Sequence, residues 1–67
     1  MKIQINGRQV KMEIEEVSVA DVLKFYQVQE KLSVVEHNKE IVKKDAYEKR
    51  AVHEGDSLEI IHFVGGG

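Results

Sequence analysis

The chain has no cysteine among its 67 residues. That excludes a disulfide framework, a Cys-x-x-Cys redox pair and any thiolate-bound metal, so whatever chemistry occurs here uses no side-chain thiol. Positive charge is not in excess: 12 acidic residues face 10 basic ones, for a net charge of −2. A nucleic-acid partner calls for a basic face, which this balance does not supply. No apolar run approaches the roughly 20 residues that cross a bilayer. Met1-Lys2 leads straight into an alternating pattern and not into a signal peptide. The length allows at most one small domain, of the kind that buries a modest core. The expectation is a cytoplasmic protein, monomeric when alone, with no nucleic-acid or membrane partner.

Catalytic and metal-binding patterns are scarce too. His37, His53 and His62 lack the i, i+4 spacing of a helical metal site and have no carboxylate cluster beside them, so they read as surface or edge residues and no metal is expected. There is no nucleophile elbow, P-loop or Gly-x-Gly-x-x-Gly run, and no residue is assigned a catalytic role. Ser18 is better explained as a helix cap than as a nucleophile. Lys43-Lys44 and Lys49-Arg50 form a modest basic cluster that reads as a solvated face or a means of steering toward an acidic partner.

What the sequence does contain is regular patterning. Met1, Ile3 and Ile5 alternate with Lys2, Gln4 and Asn6, and Val10, Met12 and Ile14 alternate with Lys11, Glu13 and Glu15. Period two with one apolar face is a half-buried strand. Asn6-Gly7 between the runs tolerates the positive φ of a tight hairpin turn. The period then changes: Val19, Val22, Leu23 and Tyr26 fall at i, i+3, i+4 and i+7, the stripe of an amphipathic helix. Ser18 is its N-cap, Asp21 offers a carboxylate to its positive end, and the helix is expected to reach Gln27 or Val28. Leu32 to His37 reads as a third strand, with Val34 inward and Val35 outward. Asn38-Lys39 and Glu54-Gly55-Asp56 read as turns, and Lys43 to Arg50 as an irregular segment anchored by Tyr47. The last strand runs from Leu58 to Val64, with Leu58 and Ile60 on one face and Ile61 and Phe63 on the other. The expected core is Ile3, Ile5, Val10, Met12, Val19, Val22, Leu23, Tyr26, Leu32, Val34, Leu58 and Ile60.

This order is α+β: a mixed sheet of four to five strands with one helix packed on one face, a β-grasp in which the final strand lies centrally beside the first. The expected division is a body over 1–64 and a flexible tail over 65–67. Gly65-Gly66-Gly67 contributes no packing, and ordering it costs backbone entropy. A frayed end or an expression scar is the bland account of such a tail. The functional account is that the tail threads a narrow channel in a partner. Three extended residues reach about 10 Å, and without Cβ atoms the backbone approaches a reactant closely. The reactive group is then the Gly67 α-carboxylate. Val35, Ile61, Phe63 and Val64 are the expected partner-binding patch.

The ending Gly55-Asp56-Ser57-Leu58-Glu59-Ile60 to Val64-Gly65-Gly66-Gly67, the stretch Val35 to Val42 and the Asn6-Gly7 opening together resemble the ThiS/MoaD family of ubiquitin-like sulfur carriers, and most closely its thiamine branch. The resemblance covers essentially the whole chain. His37 stands where that family more often has arginine, a departure that bears on a surface contact. The resemblance implies a protein substrate and not an enzyme. A ThiF-type adenylating enzyme uses MgATP to convert the Gly67 carboxylate to an acyl-adenylate, and no cofactor is bound by the carrier itself. Sulfur from a cysteine desulfurase then gives a thiocarboxylate, which a ThiG-type thiazole synthase consumes in building the thiazole of thiamine. Two other readings fit the same tail: a MoaD-like carrier for molybdopterin synthesis, and a ubiquitin-like module that binds or is conjugated to other proteins.

Overall fold

Asn6 and Gly7 have φ values of 51° and 80°, the paired left-handed geometry that lets a two-residue turn follow the twist of its strands. They join β1 (Lys2–Ile5) to antiparallel β2 (Arg8–Lys11). The computed structural model describes residues 1–63; Val64 and the tail Gly65–Gly67 lie outside the described residues. Met12, just past β2, is buried, but Ile14 is exposed, so the second strand is shorter than its alternation implies.

After the two-residue strand β3 (Val17–Ser18), helix α1 covers Val19–Phe25. Ser18 and Asp21 form a reciprocal capping box. The Asp21 backbone N–H donates to the Ser18 hydroxyl at 3.1 Å, and the Ser18 backbone N–H donates to the Asp21 carboxylate at 3.0 Å. That backbone N–H, helped by the hydroxyl, holds the Asp21 carboxyl below its ordinary value. Val19, Ala20, Val22 and Leu23 are buried. The helix ends two to three residues earlier than the expected Gln27 or Val28. Gln27 takes a left-handed φ of 58°, and the N–H groups of Gln27 and Val28 return to the carbonyls of Lys24 and Leu23, which is a Schellman stop. Tyr26, expected in the core, consequently lies beyond the packed stripe. It is exposed and stacks edge-on against Phe25, with ring centroids 5.1 Å apart.

A 3-10 turn over Glu30–Leu32 leads into β4 (Ser33–His37), then a second left-handed turn at Asn38-Lys39, and β5 (Glu40–Val42). A second 3-10 turn over Lys44–Ala46, strand β6 (Ala51–Val52) and the turn at Glu54-Gly55 deliver the chain to β7 (Ser57–His62). The main sheet has the order β2-β1-β7-β4-β5, with β7 parallel to β1 and antiparallel to β4. β3 and β6 form a separate two-stranded pair. The α+β architecture among the described residues is therefore a five-stranded mixed sheet with one α-helix, the last strand central, and the small β3–β6 pair beside it. Asn6 joins the first hairpin to it: its side-chain amide accepts from the Ile60 N–H at 2.7 Å and donates to the Ile60 carbonyl at 3.1 Å.

The core gathers Ile3, Ile5, Met12, Val17, Val19, Val22, Leu23 and Leu58 under the helix. It also takes in Val35, Val42, Tyr47 and Val52, which periodicity does not single out. Tyr47 donates its hydroxyl to the Ser33 carbonyl at 3.2 Å, which satisfies its one buried polar group. Val10 and Ile60 are partly buried against this cluster. The assignment of faces on β4 is corrected. Val35 is fully buried, and Val34 is half-buried on the other side, because Val35 pairs with Ile60 and His37 with buried Leu58. Two polar residues, Ser33 and His37, share that inner face.

Candidate partner-binding face and the root of the tail

β7 presents two different faces, and the difference defines the candidate site. Leu58 and Ile60 point toward the helix. Ile61 and Phe63 point away from it and are 56% and 57% exposed. Of the expected patch, these two are where the sequence put them. Val35 is not part of it, since the pairing described above turns it into the core, and Val64 lies outside the described residues. Two residues that sequence reasoning missed join Ile61 and Phe63. Val34 is directly opposite Ile61 across the β4–β7 ladder, and Ile41, 66% exposed, is opposite Glu36 across β4–β5. Ile41 had a signal in its alternation with buried Val42; Val34 had none, because its neighbour is also valine.

The strand is held to its end. The Phe63 N–H donates to the Leu32 carbonyl at 2.7 Å, so the sheet is still intact at the last described residue. The tail residues Gly65, Gly66 and Gly67 therefore follow within two residues of an anchored strand end.

The start of β7 is fixed by a part-buried polar chain centred on buried His37. Arg50 Nε–H donates to His37 Nδ1 at 2.9 Å, which leaves Nε2 to carry the ring proton and donate to Asp56 Oδ2 at 2.7 Å. The same Asp56 oxygen accepts the His53 backbone N–H at 2.8 Å, and Oδ1 accepts from Asn38 at 3.2 Å. Burial alone would raise the Asp56 carboxyl. The His53, His37 and Asn38 donors outweigh it and hold the carboxyl below its ordinary value. Arg50 is anchored in turn by Glu40 at 2.6 Å. His37 is thus an interior strut and not a surface contact residue, and both ring nitrogens are committed within the chain. Lys44, from the basic cluster, donates to the carbonyls of Glu30 and Lys31, which gives it a structural use.

Among the described residues no group of three or more histidine and carboxylate side chains is placed to hold a metal, and no helix is long and apolar enough to cross a membrane. A β-grasp body with one helix packed on a mixed sheet whose last strand is central defines the ubiquitin-like class of folds. Comparison with known proteins makes this specific. The ThiS family model matches residues 3–67. The chain is 42% identical over 65 residues to the sulfur carrier protein ThiS of Bacillus subtilis strain 168, covering 97% of this chain and 98% of that one. It is 40% identical over 67 residues, its whole length, to a thiazole synthase of Paramagnetospirillum magneticum, where the match spans 20% of the larger protein. The crystal structure of ThiS from Geobacter metallireducens shares its fold with a TM-score of 0.86 at 30% identity, with both chains fully covered. An NMR solution structure of a thiamine biosynthesis protein from the same organism gives a TM-score of 0.85 at 30% identity, covering all of this chain and 88% of the other. The chain belongs to the ThiS family: it is a sulfur carrier of thiamine biosynthesis, a carrier protein and not an enzyme.

Proposed function

We infer that the sulfur is carried on the α-carboxylate of Gly67, with Gly65 and Gly66 as the sterically bare lead that enters a partner's active site. A carboxylate is a poor electrophile. A ThiF-type enzyme activates it with MgATP, forming the acyl-adenylate and releasing pyrophosphate. The terminal sulfur of a persulfide, supplied through a cysteine desulfurase, attacks the acyl carbon and expels AMP. Thiol cleavage of the resulting S–S bond leaves the thiocarboxylate. Its nucleophilic sulfur then goes to thiazole synthase. The observation that carries this reading is the anchored chain just past β7: Phe63 is still bonded to Leu32, and the glycines begin two residues on. The Paramagnetospirillum thiazole synthase, which contains a stretch similar to this whole chain, supports an association with that enzyme. The exposed residues Ile41, Ile61 and Phe63 and half-buried Val34, together with Val64, are the proposed docking patch. The setting proposed for this chemistry is the cytoplasm, with the carrier monomeric between encounters.

The test is the intact mass of the protein after incubation with the adenylating enzyme, MgATP, a cysteine desulfurase and cysteine. The expected result is a gain equal to exchanging one oxygen for sulfur, lost when Gly67 is deleted although the variant unfolds at the same temperature. No gain, with the enzyme shown to be active on another carrier, would overturn the assignment.

A further inference from the structure

The outer face of the sheet contains an arrangement that folding alone does not favour. Glu36 on β4 and Glu59 on β7 are directly opposite in the ladder on the outer face, Glu59 exposed and Glu36 half-buried. Side chains so paired have Cβ atoms about 5 Å apart, and like charges there are destabilising. Neither carboxylate belongs to an ion pair among the described residues. The pair is also set within the apolar patch: Ile41 is opposite Glu36 on its other side, and the next outward-facing pair along the same ladder is Val34 with Ile61.

We propose that this face docks a partner surface that is apolar but carries an arginine or lysine side chain, and that the cation enters between Glu36 and Glu59. The inference deepens the docking patch proposed above and rests on that reading. Charge complementarity selects the occupant. A purely apolar partner surface would desolvate two like charges with no compensation, whereas a guanidinium or ammonium between them converts the repulsion into two charge-assisted hydrogen bonds. The same charges disfavour a second copy of this chain, because face-to-face stacking would bring four carboxylates together. The partner is the adenylating enzyme, which must hold the body while the tail is in its active site.

The test is calorimetric titration of the full chain into the adenylating enzyme, without ATP, at several salt concentrations. The variants are E36Q/E59Q and, as a control beside the β3–β6 pair, E15Q/E48Q. The E36Q/E59Q protein is expected to bind at least about tenfold more weakly at low salt and to show a flatter salt dependence. Its Tm should nevertheless rise by about 2–5 °C, because the cross-strand repulsion has been removed. Weaker binding from a more stable protein cannot come from a damaged fold. Affinity and salt dependence unchanged from the unaltered chain, or an equal loss in the control, would overturn the inference while leaving the carrier reading intact. Failure of the unaltered chain to bind the enzyme would instead overturn the carrier reading on which it rests.

Discussion

Leu58→Ala is expected to unfold much of the protein. Leu58 is wholly buried on the central strand, between Ile5 of β1 and His37 of β4. Truncating a buried leucine costs about 2–5 kcal/mol, made up of lost transfer free energy and the cavity left behind. Small domains sit at or below the low end of the usual ~5–15 kcal/mol, so one such change removes most of the margin. Urea unfolding followed by circular dichroism should show the midpoint collapse toward zero denaturant; a shift of less than about 1 kcal/mol would contradict the packing described here. Phe63→Asp, one residue past the end of the same strand, should behave oppositely. Phe63 is exposed, and the backbone N–H that bonds to Leu32 is kept in the variant, so its stability should change by no more than about 0.5 kcal/mol. Calorimetry with the adenylating enzyme should nonetheless show weakened binding, and unchanged affinity would remove Phe63 from the patch.

Asp56→Ala should have the second-largest effect, and it should change how stability depends on pH. The carboxylate accepts from His37, Asn38 and the His53 backbone. Its loss strands the buried Nε2–H of His37, at a cost of about 2–3 kcal/mol. The sign of the pH effect follows from the direction of the shift. The folded-state pKa of Asp56 lies below its unfolded value, so the folded state binds this proton less readily than the unfolded chain. Its contribution is complete above the ordinary aspartate range, near pH 4, and is lost as the pH falls through the folded value. Unfolding titrations between pH 7 and pH 2.5 should therefore show the wild-type advantage over Asp56→Ala narrowing below about pH 4. A gap independent of pH would mean that the carboxylate contributes shape alone.

How much of this was legible beforehand depends on whether the deciding contacts are local. The Asn6-Gly7 hairpin, the Ser18–Asp21 cap and the alternation of β7 rest on interactions within a few residues, where residue type and spacing carry the physics. The exposed pair Ile61 and Phe63 was readable for the same reason, once Leu58 and Ile60 were placed inward. The glycine ending, too, was apparent as sequence. β4 was different. Its apolar residues Leu32 and Val34 argued for one face, yet Ser33, Val35 and His37 are the buried ones. That choice is made by pairing with β7, some 25 residues away, and a one-residue slip reverses every side chain. It is tolerable because the two buried polar groups find partners: the Ser33 hydroxyl donates to the Glu30 carbonyl at 3.0 Å, and His37 lies between Arg50 and Asp56. The early stop of α1 was hidden as well, since Gln27 adopts a left-handed conformation that its residue type does not favour. Local sequence thus determined the turns, the cap and the two-faced last strand. Only the tertiary structure decided which face of β4 is buried, and with it that Val34 and Ile41, not Val35, complete the outer patch around Glu36 and Glu59, because that choice belongs to a long-range register no local pattern contains.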